Sequence, residues 1–261
     1  MHYTVWDTAA ETGRRAALQG SGHIRLALEE RGEASIILAT GVSQIGMLQC
    51  LREARGIDWQ KVTGFHLDEY AGLSMDHPAS FRKFLKDRFA DRVPLKQFHF
   101  IDGEGDLEAE CDRLSKIIRE WEIDVAFVGI GENGHLAFND PPADFDTTKP
   151  YLVVDPDEKC RRQQVGEGWF SSLSEVPLRA VSMSVDRIMQ ARNIICTCPD
   201  RRKAEAVRDC VEGPVTPNVP ASVLQRHPRA SLFLDRESAS LLSTEIREPA
   251  ADYPGHNNER A

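Results

Sequence analysis

The stretch GIGENGHLAFNDPP, residues 129–142, ends an apolar run and decides which kind of α/β protein the chain forms. Its glycines follow the pattern G-x-G-x-x-G, which indicates a dinucleotide site only when a helix follows directly. Here Gly134 is followed by His135, and the double proline at 141–142 ends any helix after one turn. Asp155 lies at about the distance expected of a ribose-binding acid, but the helix between is missing. We therefore interpret the stretch as a histidine in a glycine-permitted turn.

Composition narrows the class of protein. The chain has 261 residues, of which 41% are hydrophobic and 28% are charged, as in ordinary globular proteins. A net charge of −9 argues against nucleic acid as the main partner, although it leaves room for a local anion site. No apolar run reaches the ~20 residues of a membrane span, and the N-terminus lacks the pattern of a secretory signal.

The six cysteines are scattered along the chain, and no second Cys/His pair accompanies Cys196 and Cys198 at the spacing of a zinc site. This favours reduced thiols in a cytoplasmic protein over disulfides or a metal centre. The sequence therefore predicts neither a metal nor a cofactor.

Short β-rich runs alternate with amphipathic segments along most of the chain. Strands are predicted at 34–40, 61–67, 97–102, 124–130, 179–185, 193–198 and 230–235, and helices at 8–31, 43–56, 78–90, 106–121 and 200–213. The alternation predicts a three-layer α/β fold, a Rossmann-like and mostly parallel sheet with helices on both faces. We expect a single domain over residues 1–245 and a polar C-terminal tail over 246–261.

Loops that follow parallel strands meet at one edge of the sheet, where ligands bind in such folds. In the first, ATGVSQ (39–44), Thr40, Gly41 and Ser43 precede a predicted helix, and free N–H groups with hydroxyls at a helix start favour an anion. An ordinary turn capped by Ser43 explains the same residues equally well.

Charged residues mark two further loops. Asp68 and Glu69 directly follow a strand, as a general base would, although a solvated loop or a helix cap explains the pair as well. In CPDRRKAEA (198–206) three cations fill the first helical turn, where they oppose the helix dipole. This placement makes sense if at least one of them faces a bound anion, and the alternative is that all three point into water.

The fourth loop contains His135 between Asn133 and Asp140, groups able to fix the tautomer of an imidazole that titrates near neutrality. A histidine bonded to backbone is the alternative reading of this loop alone. One edge of the predicted sheet thus combines a loop suited to binding phosphate, a carboxylate, a basic helix start and an oriented histidine. Together these groups suit acid–base chemistry on a small phosphorylated molecule.

Several motifs resemble those of glucosamine-6-phosphate deaminases, which share a fold with 6-phosphogluconolactonases. The resemblance covers residues 8–242 and rests on LDEY followed by GL and HP, on GIGENGHLAFNDP, and on RKA…VEGPVTPNVPASVLQRHP. Lactonases usually have DER and DGHTASLFP at the first two places. The chain follows the deaminase version at both.

The resemblance implies an enzyme without metal or cofactor that converts glucosamine 6-phosphate and water to fructose 6-phosphate and ammonium. It implies that Asp68 is the base at C2, that His135 helps to open the sugar ring, and that Asp140 orients this histidine. Asp140 stands where many members have Glu, and Asn133 where some have Asp. Being one methylene shorter, Asp140 must lie closer to the histidine or reach it through water.

Further contacts follow from the same resemblance. Thr40, Gly41, Ser43 and Lys203 match phosphate-binding positions, and Glu69 and Gly134 are candidates for other substrate contacts. The family's active-site arginine should lie near residues 161–172, where Arg161 and Arg162 are both candidates. The expected partner is a small sugar phosphate, and a homo-oligomer is compatible with the sequence. Two other functions stay open at this stage, lactone hydrolysis and sugar-phosphate binding without turnover.

Overall fold

The structure is a computed structural model that describes residues 1–243. The predicted tail at 246–261, and residues 244 and 245 of the predicted domain, lie outside the described residues. Within residues 1–243, no helix is long and apolar enough to cross a membrane.

The described part of the chain alternates between strands and helices. The strands are β1 (His2–Trp6), β2 (Ala34–Leu38), β3 (Val62–His66), β4 (Asp68–Tyr70), β5 (Gln97–His99), β6 (Val125–Val128), β7 (Tyr151–Val154), β8 (Ala180–Met183), β9 (Asn193–Cys198) and β10 (Ala230–Asp235). The α-helices are α1 (Ala9–Arg31), α2 (Ile45–Arg52), α3 (Phe81–Leu85), α4 (Leu107–Ile118), α5 (Glu158–Gly166), α6 (Val185–Met189) and α7 (Ala204–Glu212). A π-helical turn, Lys86–Ala90, continues α3.

Seven strands form one sheet in the order β1-β10-β9-β6-β2-β3-β5, and all neighbouring pairs are parallel. Three others form a small antiparallel sheet in the order β4-β8-β7. The predicted α/β class with a mostly parallel sheet is confirmed. The second sheet was not predicted.

Both faces of the seven-stranded sheet are covered, so its strands are apolar on both sides. On β6, Ala126 and Val128 pack in the cluster that includes Leu114 of α4, whereas Val125 and Phe127 pack in the cluster that includes Met47 of α2. This double coverage explains the continuous apolar runs in the sequence.

Several elements differ from the sequence prediction. The strands β1, β4 and β7 and the helices α5 and α6 were not predicted, because short elements carry little periodicity. Residues 180–183 do form a strand, but β8 pairs with β4 and β7 and lies outside the parallel sheet. The loops after β2, β6 and β9 and the start of β4 meet at the carboxyl edge of the sheet, as parallel topology requires.

Close packing between α1 and the sheet yields a stability prediction. A Cβ atom at Gly20 would lie 2.3 Å from the ring of Phe127, which is fully buried, whereas a Cβ at Gly22 would meet nothing closer than 3.9 Å. Gly20→Ala should therefore lower the free energy of unfolding by ~1–3 kcal/mol through overpacking. Gly22→Ala, the control on the same helix, should raise it by ~0.5–1 kcal/mol through helix propensity. Urea unfolding measures both, and equal effects of the two substitutions would contradict this packing.

Candidate active site

The four loops singled out in the sequence line one cleft of ≈ 540 Å³, a volume that includes its open mouth. Residues from all four contribute to its walls: Thr40, Gly41, Ser43, Asp68, Gly131, His135 and Lys203. Gln163, Gln164 and Glu167, from α5 and the residue that follows it, close another side. The cleft thus brings together residues that lie more than 160 positions apart in the chain.

One wall of the cleft is suited to an anion. A 3-10 turn, Val42–Gln44, leads from β2 into α2, and its Ser43 accepts a hydrogen bond from Gln44 Nε2 at 3.1 Å. The same amide donates to Thr197 O at 3.2 Å on β9, which holds the turn against the sheet. N–H groups and hydroxyls at such a turn are donors to an anion.

Lys203 is the cation of this wall. It is only 4% exposed, and among residues 1–243 no carboxylate lies within ion-pair distance of it. Asp200, at a positive φ of 92°, turns the chain after β9, and its carbonyl accepts from Lys203 N at 3.0 Å. A buried ammonium without a counter-ion is costly, which favours an anionic ligand at this position.

The other two cations of this turn have different surroundings. Arg201 is exposed and lies 3.6 Å from Glu237, and Arg202 contacts Asp200 at 2.7 Å and Glu132 at 3.6 Å. Of the three, Lys203 alone lines the cleft.

His135 is held by a chain of polar contacts. Its Nδ1 lies 2.9 Å from Asp140 Oδ1, so the shorter carboxylate reaches the imidazole directly without a bridging water. Asn133 Nδ2 donates to Asp140 Oδ1 at 2.8 Å, and Asn133 Oδ1 accepts from His135 N at 3.1 Å. Burial alone would raise the pKa of Asp140, but the hydrogen bonds from His135 and Asn133 outweigh it and the pKa is lowered. Asp140 is thus an ionised acceptor that orients the imidazole.

Sequence reasoning missed Asp157 in this network. Its backbone N donates to Asp140 Oδ2 at 2.8 Å, and its Oδ2 accepts from Asn133 at 2.9 Å. Its Oδ1 caps α5 by accepting from Cys160 N at 2.6 Å. The signal for it was the helix start Pro156-Asp157-Glu158, an N-cap pattern within an interval taken as irregular.

The three glycines of residues 129–142 have separate structural reasons. A Cβ at Gly129 would lie 2.9 Å from Gln44 Nε2, and one at Gly131 would lie 2.1 Å from His135 Nε2. Gly134 adopts φ +85°, which L side chains rarely accept. Gly129 and Gly131 therefore allow close packing against Gln44 and His135, and Gly134 allows the turn that precedes His135.

Asp68 faces the cleft from β4, where a loop was expected. It is 6% exposed, and its Oδ1 has no hydrogen-bond partner in the described chain. Burial, and then the neighbouring Glu69, raise the pKa of Asp68 to about 8. A carboxyl group with a raised pKa in a cleft can exchange protons near neutrality.

Glu69 does not line the cleft. Its carboxylate accepts from the backbone N of Tyr70 at 2.8 Å, Phe81 at 3.1 Å and Arg82 at 2.7 Å, and from Ser80 Oγ at 3.0 Å. Burial nevertheless raises the pKa of Glu69. The structure thus places it as a link between β4 and α3, outside the cleft lining.

The remaining candidates for substrate contact also lie outside the cleft lining. Arg161 donates to Leu173 O at 2.7 Å, and the exposed Arg162 pairs with Glu158 at 2.5 Å. Gly134 O accepts from Ala221 N at 2.8 Å. Where an arginine was expected, Gln163, Gln164 and Glu167 line the cleft.

One group of side chains has the composition of a metal site. Ligand atoms of His135, Asp140 and Cys160 lie within 4.8 Å of one another. The spacing of the cysteines in the sequence did not indicate this group, because Cys160 reaches His135 only through the packing of α5 in the folded chain.

Comparison with known proteins extends these findings. Residues 7–233 match the family model described as glucosamine-6-phosphate isomerases/6-phosphogluconolactonase. A glucosamine-6-phosphate deaminase of Exiguobacterium sibiricum is 41% identical over 82% of this chain and 83% of its own length. One from Lactobacillus delbrueckii subsp. bulgaricus is 36% identical over 93% of this chain and 100% of its own.

Solved structures agree with this fold. A monomeric glucosamine-6-phosphate deaminase superposes with a TM-score of 0.85 at 32% identity, over 92% of this chain and 100% of its own. A 6-phosphogluconolactonase from Trypanosoma brucei gives a TM-score of 0.77 at 18% identity, over 93% and 98% of the two chains, and shares the fold.

The position of Glu69 predicts a structural role. Glu69→Ala leaves several buried donors unpaired and should lower the free energy of unfolding by at least ~3 kcal/mol. Glu120→Ala, which removes an exposed carboxylate, should change it by no more than ~0.5 kcal/mol. Denaturant unfolding measures both changes, provided that the variants have the same dependence of unfolding free energy on denaturant concentration. A Glu69 variant as stable as the Glu120 variant would refute the structural role of Glu69.

Proposed function

The chain belongs to the glucosamine-6-phosphate isomerase/6-phosphogluconolactonase family, and we propose that it converts glucosamine 6-phosphate and water to fructose 6-phosphate and ammonium. The observation that carries the proposal is Asp68, a buried carboxyl group at the cleft whose Oδ1 has no partner among residues 1–243 and whose pKa is raised to about 8. Aldose–ketose isomerisation needs a base at C2, and lactone hydrolysis does not.

The other residues of the cleft fit successive parts of this reaction. Lys203, Thr40, Gly41 and Ser43 bind the phosphate. His135, oriented by Asp140 and Asn133, moves a proton between the ring oxygen and the C1 hydroxyl as the sugar opens. Asp68 then removes the proton from C2 and returns one to C1. Water adds to the resulting C2 imine, and ammonium leaves.

These steps use protons and side chains alone, so we propose that no metal or cofactor takes part. A cytoplasmic location also fits, because all six cysteines are free thiols and five of them are buried.

Removing the basicity of Asp68 tests the proposal. Asp68→Asn keeps the size of the side chain, and kcat should fall ~10²–10⁴-fold because general-base catalysis is lost. Release of ammonium from glucosamine 6-phosphate measures turnover, with 6-phosphogluconolactone hydrolysis assayed beside it. A fully active Asp68→Asn variant with an inactive but folded Glu69→Gln would show that the other carboxylate is the base. Lactone hydrolysis without ammonium release would overturn the assignment.

The raised pKa of Asp68 predicts a pH dependence. The base is ionised only above its pKa, so kcat/KM should be lost as the pH falls through about 8. The folded chain favours the protonated form, so Asp68 should lower the free energy of unfolding as the pH rises from its ordinary value of 3.8 toward 8. Asp68→Asn should lack this contribution to the stability profile. Identical pH profiles of stability for both proteins would argue against the shift.

The phosphate contact is tested at Lys203. Lys203→Ala should raise KM for glucosamine 6-phosphate roughly ten- to a hundredfold, the effect of losing a charge-assisted contact to an anion. Arg201→Ala is the matched control, because it removes an exposed cation from the same turn. Weak turnover of unphosphorylated glucosamine should not change. If it falls in the same proportion, Lys203 supports the fold instead.

A further inference from the structure

Cys160 lies beside the oriented histidine, yet the proposed reaction makes no use of it. It is the third residue of α5 and only 1% exposed. Its backbone N donates to Asp157, whose own N donates to Asp140. The thiol is therefore held next to the Asp140 carboxylate by the same contacts that cap the helix.

The three side chains offer three kinds of ligand atom. His135, Asp140 and Cys160 supply nitrogen, oxygen and sulfur, all within 4.8 Å of one another. Zinc bonds of about 2.0–2.3 Å in tetrahedral geometry place ligand atoms about 3.5 Å apart. At 2.9 Å, His135 Nδ1 and Asp140 Oδ1 are already close to that spacing. Imidazole and thiolate ligands together favour Zn²⁺ over Mg²⁺ or Ca²⁺.

The electrostatic surroundings also favour a cation. The carboxylates of Asp140, Asp157 and Asp68 act electrostatically on the Cys160 thiol. The same carboxylates attract a divalent ion, and a bound ion stabilises the thiolate that it coordinates. Binding would release the thiol proton to solvent.

Outer contacts already orient two of the ligands. Asp140 accepts from Asn133 and from Asp157 N, and Cys160 is fixed at the start of α5. Such contacts are what metal sites use to hold their ligands. His135 lines the open cleft, which brings an ion from solvent to the first of the three ligands.

We propose that His135, Asp140 and Cys160 form a Zn²⁺ site whose occupation switches the enzyme off. A metal on Nδ1, the nitrogen that faces Asp140, prevents the ring from taking up a second proton, so Nε2 can no longer accept one from the substrate. Asp140 also no longer orients the ring. The metal is thus an inhibitor of a reaction that needs none.

Cobalt titration of the metal-free protein tests the site without any turnover. One equivalent of Co²⁺ should produce the visible bands of tetrahedral cobalt and a thiolate-to-cobalt charge-transfer band in the near ultraviolet, and Zn²⁺ should abolish them. Cys160→Ser should lose the charge-transfer band. Cys111→Ser, which removes another buried thiol on α4, should keep it. A wild type without tetrahedral bands, or a band that survives in Cys160→Ser, would overturn the site.

Inhibition is measured separately. Zn²⁺ should abolish ammonium release by the wild type, and a chelator should restore it. The activity of each variant is expressed relative to its own metal-free activity. Folded Cys160→Ser should then need at least tenfold more Zn²⁺ than the wild type for half inhibition, whereas Cys111→Ser should need the same concentration as the wild type. Equal sensitivity of all three would overturn the proposed switch. A protein that binds cobalt as described but releases no ammonium would leave the site standing and refute the proposed function.

Discussion

The fully buried carboxylate of Glu69 fixes the part of the structure on which the cleft depends. It accepts four hydrogen bonds, from Tyr70 in its own strand and from Ser80, Phe81 and Arg82 at the start of α3. These contacts join β4 to α3 and leave Asp68, one residue earlier, facing the cleft. Burial, and then the neighbouring Glu69, raise the pKa of Asp68, so the side chain that positions the proposed base also contributes to its protonation.

The cleft collects features that a stable fold would avoid. A buried lysine with no counter-ion among residues 1–243 and a buried acid with a pKa of about 8 each cost stability in the free protein. Such local conflicts with folding are expected at functional sites. The phosphate of an anionic substrate supplies a counter-ion for the lysine, and the C2 proton of the substrate neutralises the buried acid once it is taken up. The charges and the chemistry of the cleft therefore fit the same ligand.

The sequence predicted the structure correctly where neighbouring residues along the chain determine it. Buried parallel strands gave continuous apolar runs, and the loops after them carried residues of the cleft. It failed where pairing is non-local: nothing in the run at 180–183 indicates that β8 joins β4 and β7. Asp157 and Cys160 were missed for the same reason, because the docking of α5 brings them to His135. Neither candidate arginine lines the cleft, because α5 directs Gln163 and Gln164 to it while Arg161 donates to backbone carbonyls elsewhere. Contact of either arginine with substrate stays a prediction.

The central claim is that Asp68 moves a proton at carbon, and labelling from solvent tests it most directly. Glucosamine 6-phosphate is converted in heavy water, and the fructose 6-phosphate is analysed at C1 by NMR. The wild type should place deuterium on one face of C1, and Asp68→Asn should do so no faster than its residual turnover. Undiminished labelling by Asp68→Asn, or undiminished turnover by this variant, would contradict proton transfer by this carboxylate.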